Sequence, residues 1–366
     1  MPISYSKSTL LLTVGILSIS ANLAGQSVVR PYTRIAARPM RASGHADSPE
    51  WISAPVVGLM TNSGQTQVRA IYGVAGASTL GLPIPLADGV ARIRLAPGQR
   101  WALVEQADGA PLGLLRFQGA APGNVQSIDG ALAAPDLVGF SPAGRSAVLF
   151  SRAGGTLQVL AGLDSTPRVA FEVQLSYLAT ARQVAVNDDG TFPLILSEDG
   201  NLYAVPGAVS PQLLFRVGGP AGVTFLPGLA SAVVADSDGG TVTLIENLRT
   251  APATRIVATG LQFSADEVFV QASGDAGSVF VAASGAKSAS RIDLATGDVQ
   301  ALDLPVGSSR LERLRNGDIF LFSAEPGESA WLLAGDRPGL RALFVVGPAD
   351  EQTEKAAPPP AGAIFQ

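Results

Sequence analysis

The side chains of this chain best suited to chemistry are carboxylates. Glu105, Asp108, Glu198, Asp199, Asp236, Asp238, Glu325 and Glu328 all lie in or beside short polar turns between apolar runs. Oxygens from several such turns would supply hard ligands for Ca²⁺. A rim of them would also concentrate cations or a basic partner. Asp236-Ser-Asp-Gly239 is the densest piece, although it lacks the rest of a calcium loop. Asp-Gly and Asn-Gly pairs are equally the favoured residues of tight hairpin turns, so the same residues have a purely local reason to be there. They define an acidic binding rim as an expectation. No catalytic residue and no defined metal site follow from them.

Other chemistries are removed by composition. The 366 residues include no Cys and one His, which excludes disulfides, thiolate nucleophiles, Cys-ligated zinc and any multi-His metal site or His-based triad built from one chain. His45 sits in Arg41-Ala-Ser-Gly-His-Ala-Asp-Ser-Pro49, a solvated setting that gives it no role. Ser284-Gly-Ala-Lys-Ser288 has the look of a phosphate loop but no Gly-Lys pair and no following helix, so it reads as a turn carrying Lys287. Trp101 and Trp331 fall in apolar runs and are expected in the core rather than on a sugar platform.

Charge and hydropathy divide the chain. The net charge is −5, and only three of the 25 basic residues are Lys. Arg30, Arg34, Arg38 and Arg41 face Asp47 and Glu50 before residue 51, whereas the body beyond is mildly acidic with no basic stripe. Phosphate neutralisation dominates nucleic-acid affinity, so no nucleic-acid partner is expected. Lys7 followed by the apolar run Leu10 to Ala21 and small residues through Gly25 reads as a signal peptide over residues 1–25, too short an apolar run to span a bilayer comfortably. A disordered linker over 26–52 and a disordered Pro-rich tail over 348–366 complete the layout, and a secreted or periplasmic monomer with no membrane span after cleavage is expected.

Between these segments, apolar runs of 4–8 residues bounded by Gly, Pro, Asp, Asn or Ser read as strands. They group in fours, for example Leu137–Ser141, Ser146–Ser151, Thr156–Leu160 and Arg168–Val173. Group starts at 93, 138, 184, 223, 268 and 311 are separated by 45, 46, 39, 45 and 43 residues, the period of a four-stranded propeller blade. A shorter unit at Pro55–Met60, Val68–Val74 and Ser78–Pro85 precedes them, as a blade with one strand weak or missing. The fold expected over residues 53–347 is an all-β, seven-bladed β-propeller of four-stranded antiparallel blades, with six blades as the alternative count.

Asn187-Asp-Asp-Gly-Thr-Phe-Pro-Leu-Ile-Leu-Ser-Glu-Asp-Gly-Asn-Leu-Tyr203, with Ser141-Pro-Ala-Gly144 and Arg291–Leu302, resembles the blade signature of bacterial WD40-like and YVTN-type β-propellers. Within residues 53–347 no Gly-His or Trp-Asp pair of true WD40 repeats occurs. In such a topology the loops joining second and third strands share a face with the connections between blades. That face would hold the eight carboxylates above against Arg152 and Lys287, while the opposite face is near balance. The expected function is a non-enzymatic binding or scaffolding module whose partner is a protein or cell-surface ligand contacted through one propeller face. The alternative is a cation-dependent, carboxylate-based lyase, lactonase or hydrolase, with Ca²⁺ as its cofactor.

Overall fold

The structure, a computed structural model, describes residues 55–347 except 179, 208, 263–265, 316, 326–328 and 336–338, and of Glu325 the backbone alone. The expected signal peptide, linker and tail, together with His45 and Glu328, lie outside the described residues. Among the described residues no helix is long and apolar enough to cross a membrane.

The chain begins with β1 (Val56–Thr61), β2 (Val68–Val74) and β3 (Ala77–Ile84). Five four-stranded antiparallel sheets follow. They comprise β4 (Val90–Leu95), β5 (Trp101–Gln106), β6 (Gly113–Gln118) and β7 (Ala121–Ser127); then β8 (Leu137–Phe140), β9 (Ser146–Ser151), β10 (Thr156–Ala161) and β11 (Arg168–Gln174). The third holds β12 (Ala181–Val186), β13 (Pro193–Ser197), β14 (Asn201–Ala204) and β15 (Gln212–Arg216), and the fourth β16 (Ala221–Phe225), β17 (Ala232–Asp236), β18 (Thr241–Glu246) and β19 (Ala253–Ala258). The fifth is β20 (Val268–Ala272), β21 (Ser278–Ala283), β22 (Ser288–Asp293) and β23 (Val299–Asp303), and the chain finishes with β24 (Glu312–Arg313), β25 (Ile319–Glu325), β26 (Ser329–Ala334) and β27 (Arg341–Val346).

Burial explains why these runs are strands. All six residues of β21 and five of six in β9 are buried, because each middle strand is covered on both faces by neighbouring sheets. The outermost strand β11 instead alternates exposed and half-buried residues. Seven apolar clusters fill the gaps between consecutive units, for instance Leu194, Leu196, Phe225 and Val234 between the third and fourth sheets. The β-propeller arrangement is the outcome, since radial stacking gives every sheet two covered faces.

The blade count differs from the expectation. In place of seven or six separate four-stranded blades there are five such sheets and one curled seven-stranded sheet, β1-β2-β3-β27-β26-β25-β24. The chain leaves β3 through Pro83-Ile-Pro85 and reaches β4 without forming a fourth strand, consistent with prolines that cannot donate to a ladder. The uncovered edge of β3 meets the last strand instead, with Thr79 opposite Val346.

Innermost strands are joined by specific devices. The Gln99 side chain is buried and bridges to β1, accepting from the Leu59 N–H at 2.6 Å and donating to its carbonyl at 2.7 Å. Gln183 does the same for Val223, at 3.0 and 3.1 Å. Gly139 and Gly222 lie so near the next inner strand that a Cβ would overlap the carbonyl oxygens of Val184 and Val268. Arg313 reaches the Ala272 carbonyl and Arg310 the Thr61 carbonyl, which returns the ring to β1.

Candidate functional site: an acidic face and a hub cavity

Turns between first and second strands lie on one face, and those between second and third strands lie on the other with the connections between units. The first kind are tied together. Asp188 accepts from the N–H of Ala143 at 2.7 Å and of Gly228 at 2.8 Å, so one carboxylate spans three consecutive sheets. Asp318 accepts from Gly274 N–H and from Arg313. Arg145 pairs with Asp164 at 3.6 Å, and Arg249 with Asp189. Acids and bases on this face therefore largely satisfy one another.

The connecting face is different. Its connections and turns carry Asp88, Asp108, Asp129, Asp136, Glu198, Asp199, Asp238, Asp266 and Glu267, with Asp236 at the end of β17. Arg152, Lys287 and Arg310 oppose them among the described residues, with Arg182 near the start of β12 and Arg216 at the end of β15. Of these bases, Arg152 is engaged by the Ala181 carbonyl and Arg310 by Thr61 and Glu312. Tyr177, in the short 3₁₀ turn Ser176–Leu178, is 66 % exposed on the same face.

The residues expected to form the rim divide by role. Glu105 is buried on β5 and held by Arg94 and, at 3.4 Å, by Arg92, so it is an internal ion-pair member and not a rim residue. Burial pushes the Arg94 guanidinium below its usual range, and Glu105 opposes that shift. Asp108 accepts from the Ala110 N–H, and Asp236 from the N–H groups of Gly218, Gly219 and Asp238, as turn residues do. Asp199 is held by the Ser197 hydroxyl and the Asn201 amide, and these bonds, Ser197 foremost, keep its carboxyl below the ordinary carboxylate range. Glu198 and Asp238 are exposed carboxylates without side-chain partners among the described residues. Glu325 lies at the end of β25, and Glu328 is outside the described residues. Among the described residues no group of three Asp, Glu or His side chains is placed to hold a metal ion.

Sequence reasoning missed the free acids Asp88, Asp129, Asp266 and Glu267, because they lie in connections between units, where even the pairs Asp88-Gly89 and Asp129-Gly130 join no hairpin. It also missed a cavity of about 380 Å³ at the hub, lined by inner-strand residues. Five charged residues line it: Arg94, Arg182, Arg313, Glu267 and Glu312. Glu312 is half-buried where it opens onto the cavity; desolvation raises its carboxyl above the ordinary range against the pull of Arg310 at 3.4 Å. Arg313 is paired with Asp318 at 2.8 Å. Arg182 and Glu267 have no side-chain hydrogen bond or ion pair among the described residues.

No known family model and no well-characterised protein matches the chain. Solved structures do. A protein of unknown function from Desulfotomaculum acetoxidans superposes with a TM-score of 0.51 at 13 % identity, covering 80 % of this chain and 100 % of its own. A protein described as a candidate 6-phosphogluconolactonase from Bacteroides fragilis gives 0.52 at 14 %, covering 80 % and 94 %. PorZ, a surface component of the type-IX secretion system of Porphyromonas gingivalis, gives 0.50 at 14 %, covering 81 % of this chain and 39 % of its own. At such identities the likeness is one of fold alone, and the fold it supports is the β-propeller.

Proposed function

We propose that this chain is an exported binding module that presents its connecting face to a cationic segment of a protein partner. The reading is carried by one observation: Asp88, Asp129, Glu198, Asp238, Asp266 and Glu267 on that face have no side-chain partner among the described residues, whereas most carboxylates of the opposite face, although not Asp298, accept hydrogen bonds from arginines or backbone N–H groups. A one-signed surface steers an oppositely charged partner and suppresses like-charged ones. Exposed Tyr177 supplies an aromatic face for an arginine or lysine on the same side. Export rests on the apolar run at residues 10–21. The curled seven-stranded sheet is proposed to act as two sectors, β1–β3 and β24–β27, giving seven sectors around the hub, because one apolar cluster fills each gap.

The test is binding of fluorescein-labelled decalysine, followed by anisotropy, to the chain and to a variant with Asp88→Asn, Asp129→Asn, Glu198→Gln and Asp238→Asn. Affinity is expected to fall about tenfold or more in the variant and with rising salt. An Asp164→Asn, Asp298→Asn variant of the opposite face is the control. Equal affinity of all three proteins would refute the reading.

A further inference from the structure

We infer that the hub cavity is a binding site for a small zwitterion of the α-amino acid type, held between Arg182 and Glu267. The inference shares Glu267 with the connecting face but does not rest on the partner-binding reading, whose variants leave Arg182 and Glu267 intact.

Charge pairing within the cavity leaves one cation and one anion over. Arg94 is matched by Glu105, Arg313 by Asp318, and Glu312 by Arg310. Arg182 on β12 and Glu267, just before β20, are the lining charges without a partner among the described residues. An unmatched guanidinium within a cavity is a ready carboxylate site, because its planar fork presents paired donors.

Register places the two at one depth. Gln183 is level with Val223, to which its amide bonds through both atoms, and Arg182 precedes it at the irregularity between Ala181 and Gln183, near the level of Gly222. Gly222 in turn packs against the Val268 carbonyl, which puts Glu267 at about the same level on the far side of β16. The intervening residue has no side chain. Arg152 holds the Ala181 carbonyl, and the Ser284 N–H holds the Glu267 carbonyl, so both backbone positions are fixed from neighbouring turns.

Two further observations select a zwitterion over a simple anion. The mouth is ringed by the acids of the connecting face, which repel a free carboxylate but not a dipolar molecule with an ammonium group. Beyond Arg182 and Glu267 the lining mixes Val138, Phe140, Val184 and Phe269 with Gln183, Thr224 and Gln271, so an aliphatic or aromatic side chain would find apolar contacts there. The volume of about 380 Å³ falls within the roughly 300–1,000 Å³ of small-molecule pockets.

The experiment is isothermal titration of the full chain with L-leucine, with 4-methylpentanoate, which lacks the amine, and with isopentylamine, which lacks the carboxylate. L-Leucine is expected to bind, and each analogue at least about tenfold more weakly, as for loss of one charge-assisted contact. Arg182→Gln and Glu267→Gln are each expected to weaken L-leucine by about tenfold. Arg182→Gln is expected not to weaken isopentylamine, and Glu267→Gln, at an exposed position that tolerates substitution, not to weaken 4-methylpentanoate, since each change removes a like charge from the site. No binding of L-leucine at millimolar concentration, equal binding of the three compounds, or wild-type affinity in folded Glu267→Gln would overturn the proposal. None of these results bears on decalysine binding, which is read on separate variants.

Discussion

Gln99→Ala removes the side chain that bridges β4–β7 to β1. Both its bonds go to the main chain of Leu59, and Gln99 is 1 % exposed and Leu59 fully buried. Truncation leaves a buried N–H and a buried carbonyl with no replacement, each costing about 1–3 kcal/mol, so the sum expected is about 2–6 kcal/mol. Gln99 also sits at φ 51, in the left-handed region that only glycine enters without strain. Gln99→Gly should therefore be less damaging than Gln99→Ala by about 1 kcal/mol, although it loses the same two bonds. Urea unfolding gives the free energies, and hydrogen exchange at Leu59 gives the local effect. A loss below about 1 kcal/mol in Gln99→Ala, or an unchanged Leu59 exchange rate, would refute the claim that this amide joins the ring.

Other outcomes follow from the same geometry. Gly222→Ala would drive a methyl group into the Val268 carbonyl, and a loss of about 1–3 kcal/mol or more is expected, measured by the same unfolding curves. Because the carboxyl of Glu312 is raised, its ionised form costs stability above its native pKa, and that cost disappears as pH falls through it. Glu312→Gln should thus raise the melting temperature at pH 8 and leave it unchanged at pH 4; a lower value at pH 8 would contradict the assignment. Millimolar Ca²⁺ against EDTA should leave the melting temperature unchanged, because the Asp236 oxygens already accept three backbone N–H groups that would repel a cation. A rise with Ca²⁺ would support a bound cation and contradict this reasoning.

Strands were legible because burial on both faces writes an unmistakable pattern. Ser146–Ser151 and Val68–Val74 are found where the apolar runs place them, and Thr156 begins β10 as expected. Trp101 is buried as its apolar run implied, with its indole N–H on the Gly144 carbonyl. The merged sheet was not legible, because edge pairing between Thr79 and Val346 joins residues from opposite ends of the chain and leaves no local signature. Roles of individual acids were half legible. Asp199 and Asp236 are turn residues, as the Asp-Gly reading allowed, but Glu105 points to a partner eleven residues away in the neighbouring strand, which spacing alone does not reveal. Gln99 and Gln183 gave no signal at all, since an amide that substitutes for backbone pairing looks like any polar turn or strand residue.

The partner-binding claim is tested most directly by hydrogen–deuterium exchange of the full chain with and without decalysine. Slower exchange is expected in residues 107–112, 198–200 and 237–240 on the connecting face, with 96–100, 141–145 and 226–231 unaffected. Protection concentrated in the second set, or spread evenly over both, would contradict it.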